Sequence, residues 1–390
     1  MSGRAGFVWT EEHRHYFFGP DHPLHPIRLE LTIDLIRTLH LLSPLEVLTP
    51  TPATNEDLFL IHSPEYVAAV RAAHPDRPHP DLIRFGLGTD DNPLFAGMHE
   101  ASSLAVGASL LGAELIARGK LDHALNLAGG LHHAQAACAS GFCVYNDAAV
   151  AIAHLRRRHG WRVAYVDIDA HHGDGVQWAF YYEPQVLTIS LHETGRFLFP
   201  GTGFVNERGA GPGYGYAVNV PLEPFTEDAS WQEAFLAVVP PLLRRFGPDI
   251  IVSQHGCDGH RLDPLAHLAL TTESYELAAR TLHALAHELC GGRWLALGGG
   301  GYDWRVVPRV WTLLWAEIAG LQVPPAVPTS WVERWQDRCP QPLPHTMRDN
   351  RADLPAILRR EQIADRNRAT VASLLAGLPA ELKPLPSGEV

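Results

Sequence analysis

Lysine is nearly missing from this chain. Of its 31 basic residues only Lys120 and Lys383 are lysines; the rest are arginines. The basic residues are outnumbered by 43 acidic ones, for a net charge of −12, which excludes a broad cationic surface of the kind that binds nucleic acid. Cysteine is scarce as well, with five residues and no CxxC pair. That argues against a thiolate zinc site or a disulfide framework and fits free thiols in a reducing cytosol. Charged residues make up 19% and hydrophobic residues 46%, enough apolar side chain for a large core and too much for global disorder. The opening MSGRAGFVWTEEH holds no apolar signal segment, and no apolar run approaches the roughly 18 residues of a membrane span. The expectation is a cytoplasmic protein with neither a membrane nor a nucleic-acid partner. Histidine, in contrast, is abundant at 23 residues, and it is both the commonest metal ligand and a proton carrier near neutral pH.

Short apolar runs alternate with helical stretches. Helices are expected at 101–118, at 146–158 behind an Asn146 or Asp147 cap, and at 273–290. Buried strands are expected at 162–169, 186–192, 249–256 and 293–301. This alternation implies an α/β domain with a mostly parallel sheet. Residues 201–215 are glycine-rich and read as a long surface loop. Prolines at 324, 325, 328, 340, 342 and 344 punctuate a linker-like stretch, after which Ile363, Val371, Leu374, Leu375 and Leu378 keep near-helical spacing. The chain divides into a domain over 1–320 and an extension over 321–390, a Pro-rich linker with one amphipathic helix.

The segment YVDIDAHHGDG (165–175) alternates Asp167, Asp169 and His171, which in an extended chain share one face. Three ionisable groups ending an apolar strand are costly to bury unpaired. Either a hydrogen-bonded polar cluster or a divalent cation satisfies them. Asp258 follows another apolar run, at a carboxyl end where parallel sheets build their sites, and is either a loop cap or a further ligand. Asp169, His171 and Asp258 together would leave one coordination position open. AGGLHHAQ (128–135) adds His132 and His133, and the spare carboxylates Asp167 and Asp174 allow two His–Asp dyads. Strand parity points His172 away, to a structural role. LGGGGYDW (297–304) lacks the Lys-Ser/Thr of a phosphate loop. Its glycines imply a close backbone approach, and Tyr302 either packs that loop or donates to a developing oxyanion. No GxSxG is present, which disfavours a serine hydrolase.

The stretches GGLHHAQAACASGFCVYND (129–147), YVDIDAHHGDGVQ (165–177), SLHETGRFLFPGTG (190–203), QHGCDGHRLDPLAHLALT (254–271) and LGGGGYDWRVVPRVW (297–311) resemble the histone deacetylase family of the arginase–deacetylase fold. Within it the likeness is greatest to bacterial acetoin-utilisation-type deacetylases. The resemblance implies a three-layer domain with helices on both sides of the sheet. It also implies hydrolysis of the N-acetyl amide of protein lysines with release of acetate. It implies zinc, with Fe²⁺ as the other candidate, on Asp169, His171 and Asp258. It pairs His132 with Asp167 and His133 with Asp174, sets Tyr302 against the amide oxygen, and leaves open which histidine is the base. Gly141 and Phe142 would line a tunnel for acetyl-lysine, Leu265 its rim, and Asp91 would grip the substrate backbone. Main-chain oxygens around Asp167, Asp169 and His171, with Ser190 and Leu191, would hold a structural K⁺. Many eukaryotic members carry an aromatic residue opposite Phe142, a position that reads Thr194 here. The basic residues that bind inositol phosphates in some members are not clearly reproduced, so no such cofactor is implied. The implied partner is an acetylated protein, with acetyl-CoA synthetase as the candidate; no oligomeric state follows.

Three rival readings share parts of this pattern. A binuclear ureohydrolase needs DAHxD and DxDxxD, but Asp174 stands one place late and Asp258-Gly-His260 has no partner aspartate. An acetylpolyamine deacetylase would use the same chemistry behind a different tunnel mouth. A non-enzymatic acetyl-lysine binder would have lost polar groups that this chain retains.

Overall fold

The apolar runs that read as continuous rather than alternating are strands buried on both faces, as parallel strands between two helical layers must be. The computed structural model describes residues 3–383. Its strands are β1 (Ala5–Val8), β2 (Val47–Leu48), β3 (His123–Asn126), β4 (Val163–Asp167), β5 (Val186–Glu193), β6 (Ala217–Leu222), β7 (Ile250–Gln254) and β8 (Trp294–Leu297). They form one sheet in the order β2-β1-β3-β8-β7-β4-β5-β6, and every neighbouring pair is parallel.

Alternate residues of each central strand serve opposite layers. Val163 and Tyr165 of β4 join the core under helices Met98–Ala117 and Asp147–His159. Ala164 and Val166 face helices Asp228–Phe246, Thr272–Cys290 and Val307–Ala319. Helix Met98–Ala117 is, by length and composition, apolar enough to cross a membrane, contrary to the expectation from the sequence. It lies against β3 and helix Asp147–His159, so its apolarity serves the core. Helix Asp147–His159 begins where expected, with the Asn146 side chain accepting from Ala149 N at 2.9 Å, and stops at Gly160 in the left-handed region.

The register places the site. Asn126, Leu297, Gln254, Asp167 and Ser190 are successive cross-strand partners, so the carboxyl ends of β3, β8, β7 and β4 are level and β5 runs on past them to Glu193. Three strands end earlier than the sequence suggests. β4 stops at Asp167, because Asp169 N donates to Asp167 Oδ1 (3.1 Å) and His171 N to Asp169 Oδ1 (3.0 Å). These successive Asx turns divert the chain. Asp169 and His171 are therefore brought round by turns, not by a shared strand face. β7 stops at Gln254 and β8 at Leu297, before the glycines.

Beyond residue 320 the chain stays in contact with the sheet's outer helices. The stretch read as a linker holds helix Thr329–Trp335, whose Trp331 and Trp335 pack on helix Ile27–Thr38. Their indole N–H groups donate to Leu31 O (3.2 Å) and Asp34 Oδ2 (2.7 Å). Helix Arg360–Ala376 lies on β6 and on helix Asp228–Phe246. Its buried face is Asn367, Val371 and Leu374, continued by Leu378.

Candidate active site

Asp169, His171 and Asp258 are buried at the level carboxyl ends of β4 and β7, with one potential ligand atom from each inside a 4.8 Å cluster. Each carboxylate is anchored and turns one oxygen toward His171. Asp169 Oδ2 accepts from Gln254 Nε2 (2.7 Å) and Gly300 N (2.8 Å), while Asp258 Oδ1 accepts from Ala170 N (2.7 Å). The inward oxygens, Asp169 Oδ1 and Asp258 Oδ2, lie 3.2 and 2.9 Å from His171 Nδ1. Burial and the charge of Asp169 raise Asp258 to about 6. Burial opposes the charged form of His171, but Asp258 and Asp169 hold it well above its ordinary value. Two buried carboxylates converging on one imidazole nitrogen form a mixed nitrogen–oxygen donor set, both carboxylates pinned from behind, as suits a metal site. The glycines are sterically necessary. A Cβ on Gly300 would lie 2.8 Å from Asp169 Oδ2 and closer still to Asp258 Oδ2, and one on Gly256 would lie 2.6 Å from Asp169 Cγ.

The adjacent histidines leave β3 on the same edge. His132 Nδ1 is 2.8 Å from Asp167 Oδ2 and His133 Nδ1 is 2.7 Å from Asp174 Oδ1. Their Nε2 atoms are 3.0 Å apart, and His132 Nε2 is 3.9 Å from Asp169 Oδ1. Burial opposes protonation of both, and the outcomes differ. Asp167 and Asp169 raise His132 to about 9. His133, facing the charges of His132 and His171, falls well below its usual range. Burial pushes Asp174 up to about 7. His172 does turn aside, bonding to Thr202 Oγ1 (2.8 Å) and Gln177 Oε1 (3.2 Å).

Tyr302 reaches the site from the glycine loop after β8. Its ring meets Phe142 edge-on at 5.8 Å and its N–H donates to Asp263 Oδ2 (2.8 Å). Burial, then Asp258 and Asp169, push the phenol well above its usual range. Gly141 and Phe142 both adopt left-handed backbone, at φ 50° and 68°. A Cβ on Gly141 would lie 2.5 Å from His133 Cδ2. Leu265 is half-buried, its N–H bonded to Asp263 Oδ1 (2.9 Å), so Asp263 ties that loop to Tyr302. Asp91 is exposed, and among the described residues only its carbonyl is engaged, by His22 Nε2 (3.2 Å), whose ring stands 4.6 Å from Phe142.

The structure corrects the reading of the wall opposite Phe142. Thr194 is buried at the end of β5, its N–H bonded to Leu222 O (2.8 Å). The aromatic surface comes from Phe199, whose ring centroid is 5.0 Å from that of His133 and 6.5 Å from that of His171. A Cβ on Gly141 would lie 2.8 Å from Phe199 Cε1. Sequence reasoning also passed over several supporting residues. Tyr165 OH donates to Asp167 Oδ2 (2.6 Å), and Gln135 Nε2 to Asp174 Oδ2 (2.8 Å). Buried Arg28 donates to Gly299 O (2.6 Å) and Gly301 O (3.2 Å), fixing the glycine loop. Tyr165 and Gln254 were legible as polar tips within apolar strands. Arg28, 271 residues from its partner Gly299, was not.

A histone deacetylase domain model matches residues 22–318. The chain is 46% identical over 377 residues to the acetoin utilization protein AcuC of Bacillus subtilis, covering 96% of this chain and 97% of that one. It is 40% identical over 379 residues to AcuC of Staphylococcus xylosus, covering 96% and 98%. The crystal structure of an HDAC homolog from Aquifex aeolicus matches with a TM-score of 0.84 at 30% identity, over 94% of this chain and 100% of that one. An HDAC homolog complexed with SAHA matches to the same extent. Agreement in sequence and fold over nearly the full length of these proteins shows that the chain belongs to the histone deacetylase family, whose members are hydrolytic, metal-dependent deacetylases.

Proposed function

We propose that the chain removes acetyl groups from the ε-amines of lysines in proteins and releases acetate, with zinc on Asp169, His171 and Asp258. The observation that carries this reading is the convergence of two His–Asp dyads on one buried carboxylate–imidazole cluster. A divalent metal bound there supplies Lewis acidity toward the amide oxygen and the attacking water. Zinc suits a nitrogen–oxygen set with an open position, and Fe²⁺ is the alternative.

The residues of the chain do the rest. Asp167 and Asp174 hold the Nδ1–H groups of the two imidazoles, so both Nε2 atoms face the scissile amide. His133, held neutral, takes the proton of the attacking water and passes it to the leaving lysine amine. His132, held charged, stabilises the negative charge that develops beside it. Tyr302, held protonated, donates its hydroxyl hydrogen to the oxyanion. Gly141, Phe142 and Phe199 form a narrow apolar passage for a lysine's four-carbon stem, with Leu265 at the rim and Asp91 on the substrate backbone. The register that sets Asp167 beside Ser190 suits a structural K⁺ between the turn at 167–171 and β5.

The acetoin-utilisation names of its relatives support a cytoplasmic metabolic enzyme as the target, and acetyl-CoA synthetase is our candidate. The test is acetate release from an acetyl-lysine peptide by zinc-loaded wild type beside Asp258→Ala. Release by wild type alone is expected. Release only from acetylated putrescine or spermidine would overturn the protein substrate while leaving the site in place.

A further inference from the structure

A second group of metal-ligating side chains lies on the opposite edge of the sheet. His123 is the first residue of β3, whereas the catalytic histidines lie past that strand's other end. Its ring faces His283 and His287, one turn apart on helix Thr272–Cys290, at centroid distances of 4.7 and 5.0 Å. Potential ligand atoms of all three fall within 4.8 Å of one another.

Three further observations point to a ligand. His123 is fully buried, and neither of its ring nitrogens has a hydrogen-bond partner among the described residues, a state that calls for an explanation. His283 has its Nδ1 on Glu317 Oε1 at 2.9 Å. A carboxylate only accepts, so Nδ1 carries the proton and the Nε2 lone pair is left as an acceptor or a metal ligand. This carboxylate–histidine arrangement is the one that orients zinc-binding imidazoles. That Nε2 lies 3.2 Å from His287 Nε2, close to the separation of about 3.3 Å that two ligands on one tetrahedral zinc adopt at bond lengths near 2.05 Å.

We propose that His123, His283 and His287 bind a second divalent transition metal, with zinc as the first candidate, and that Glu317 orients His283. The three imidazoles leave a position for water and suit zinc, nickel or copper rather than magnesium or calcium. The ion would tie the start of β3 to helix Thr272–Cys290 and, through Glu317, to helix Val307–Ala319. It takes no part in the hydrolysis, so its role is stability.

The test uses the full chain, stripped by a chelator and dialysed against zinc, with the metal-to-protein ratio and Tm as readouts. Wild type is expected to retain two zinc ions, His287→Ala one and Asp258→Ala one. His287→Ala should keep its acetate release, because it leaves the catalytic site intact. Zinc should raise the Tm of Asp258→Ala, and adding His287→Ala should abolish that shift. His287 is partly exposed on a helix, where alanine is well tolerated. His287→Gln, which keeps most of the side-chain volume, provides a second folded variant and should also hold one ion. A single zinc in wild type, or unchanged ratios in both His287 variants, would overturn the proposal and leave the cluster as packed histidines.

Discussion

Replacing Tyr302 by phenylalanine removes one oxygen atom and leaves the rest of the site in place. The ring contact with Phe142 and the N–H bond to Asp263 do not depend on the hydroxyl. That hydroxyl makes no hydrogen bond to any described residue in the resting structure, so its loss strands no partner, and Tm and metal content should not change. Its pKa, pushed up by burial and by Asp258 and Asp169, keeps it a donor across the working pH range. Loss of one oxyanion donor costs about 3 kcal/mol, roughly a hundredfold in rate. Because that bond forms only as the tetrahedral oxyanion develops, kcat and kcat/KM should fall together while KM stays constant. Steady-state acetate release from an acetyl-lysine peptide measures both. An unchanged kcat, or a loss confined to KM, would refute the assignment of Tyr302 as an oxyanion donor.

Other consequences follow from the same geometry. Phe199→Ala opens the wall beside His133, and the ratio of butyryl to acetyl turnover on lysine peptides should rise several-fold; an unchanged ratio would show that Phe199 does not set acyl size. Gly300→Ala drives a methyl group into the Asp169 and Asp258 carboxylates, so the catalytic metal should be lost on dialysis while the circular dichroism spectrum is kept. Acid should destabilise the metal-free chain. Burial lowers His13, His62 and His192 to about 4 and His255 to about 3, from an ordinary 6.5. Between those values the unfolded chain binds more protons, so stability falls as pH drops below 6.5, by up to about 1.4 kcal/mol per pH unit for each group. Burial lowers His123, His133 and His172 as well, while it raises Asp174 to about 7 and Asp258 to about 6 together with Asp147, Asp167 and Asp263; these carboxyls oppose the trend in the same window but are five groups against seven. Urea midpoints at pH 7 and pH 5 measure the difference, and equal midpoints would contradict it.

The sequence by itself determined the chemistry. Asp167, Asp169, His171 and Asp174 fall within eight residues, and His132 and His133 are adjacent. Groups this costly to bury had to be paired with one another or with an ion wherever the chain folded. The apolar runs between helices likewise required a parallel sheet, and hence sites at its carboxyl ends. Facts that depend on contacts between distant segments were decided only in the tertiary structure. Phe199 rather than Thr194 stands beside His133 and Gly141 because the loop after β5 turns back toward Gly141, and no periodicity encodes that turn. Asn367 serves as a buried anchor because Thr226, Ser230 and the Glu223 N–H surround it at 2.8 to 2.9 Å; on spacing alone it is a polar residue in an apolar stripe. His123 meets His283 and His287 across 160 residues of chain through the register of β3 with β8 and the packing of one helix. Hydropathy along a chain reports which face of an element is buried; which side chains meet there is settled by register and packing between elements.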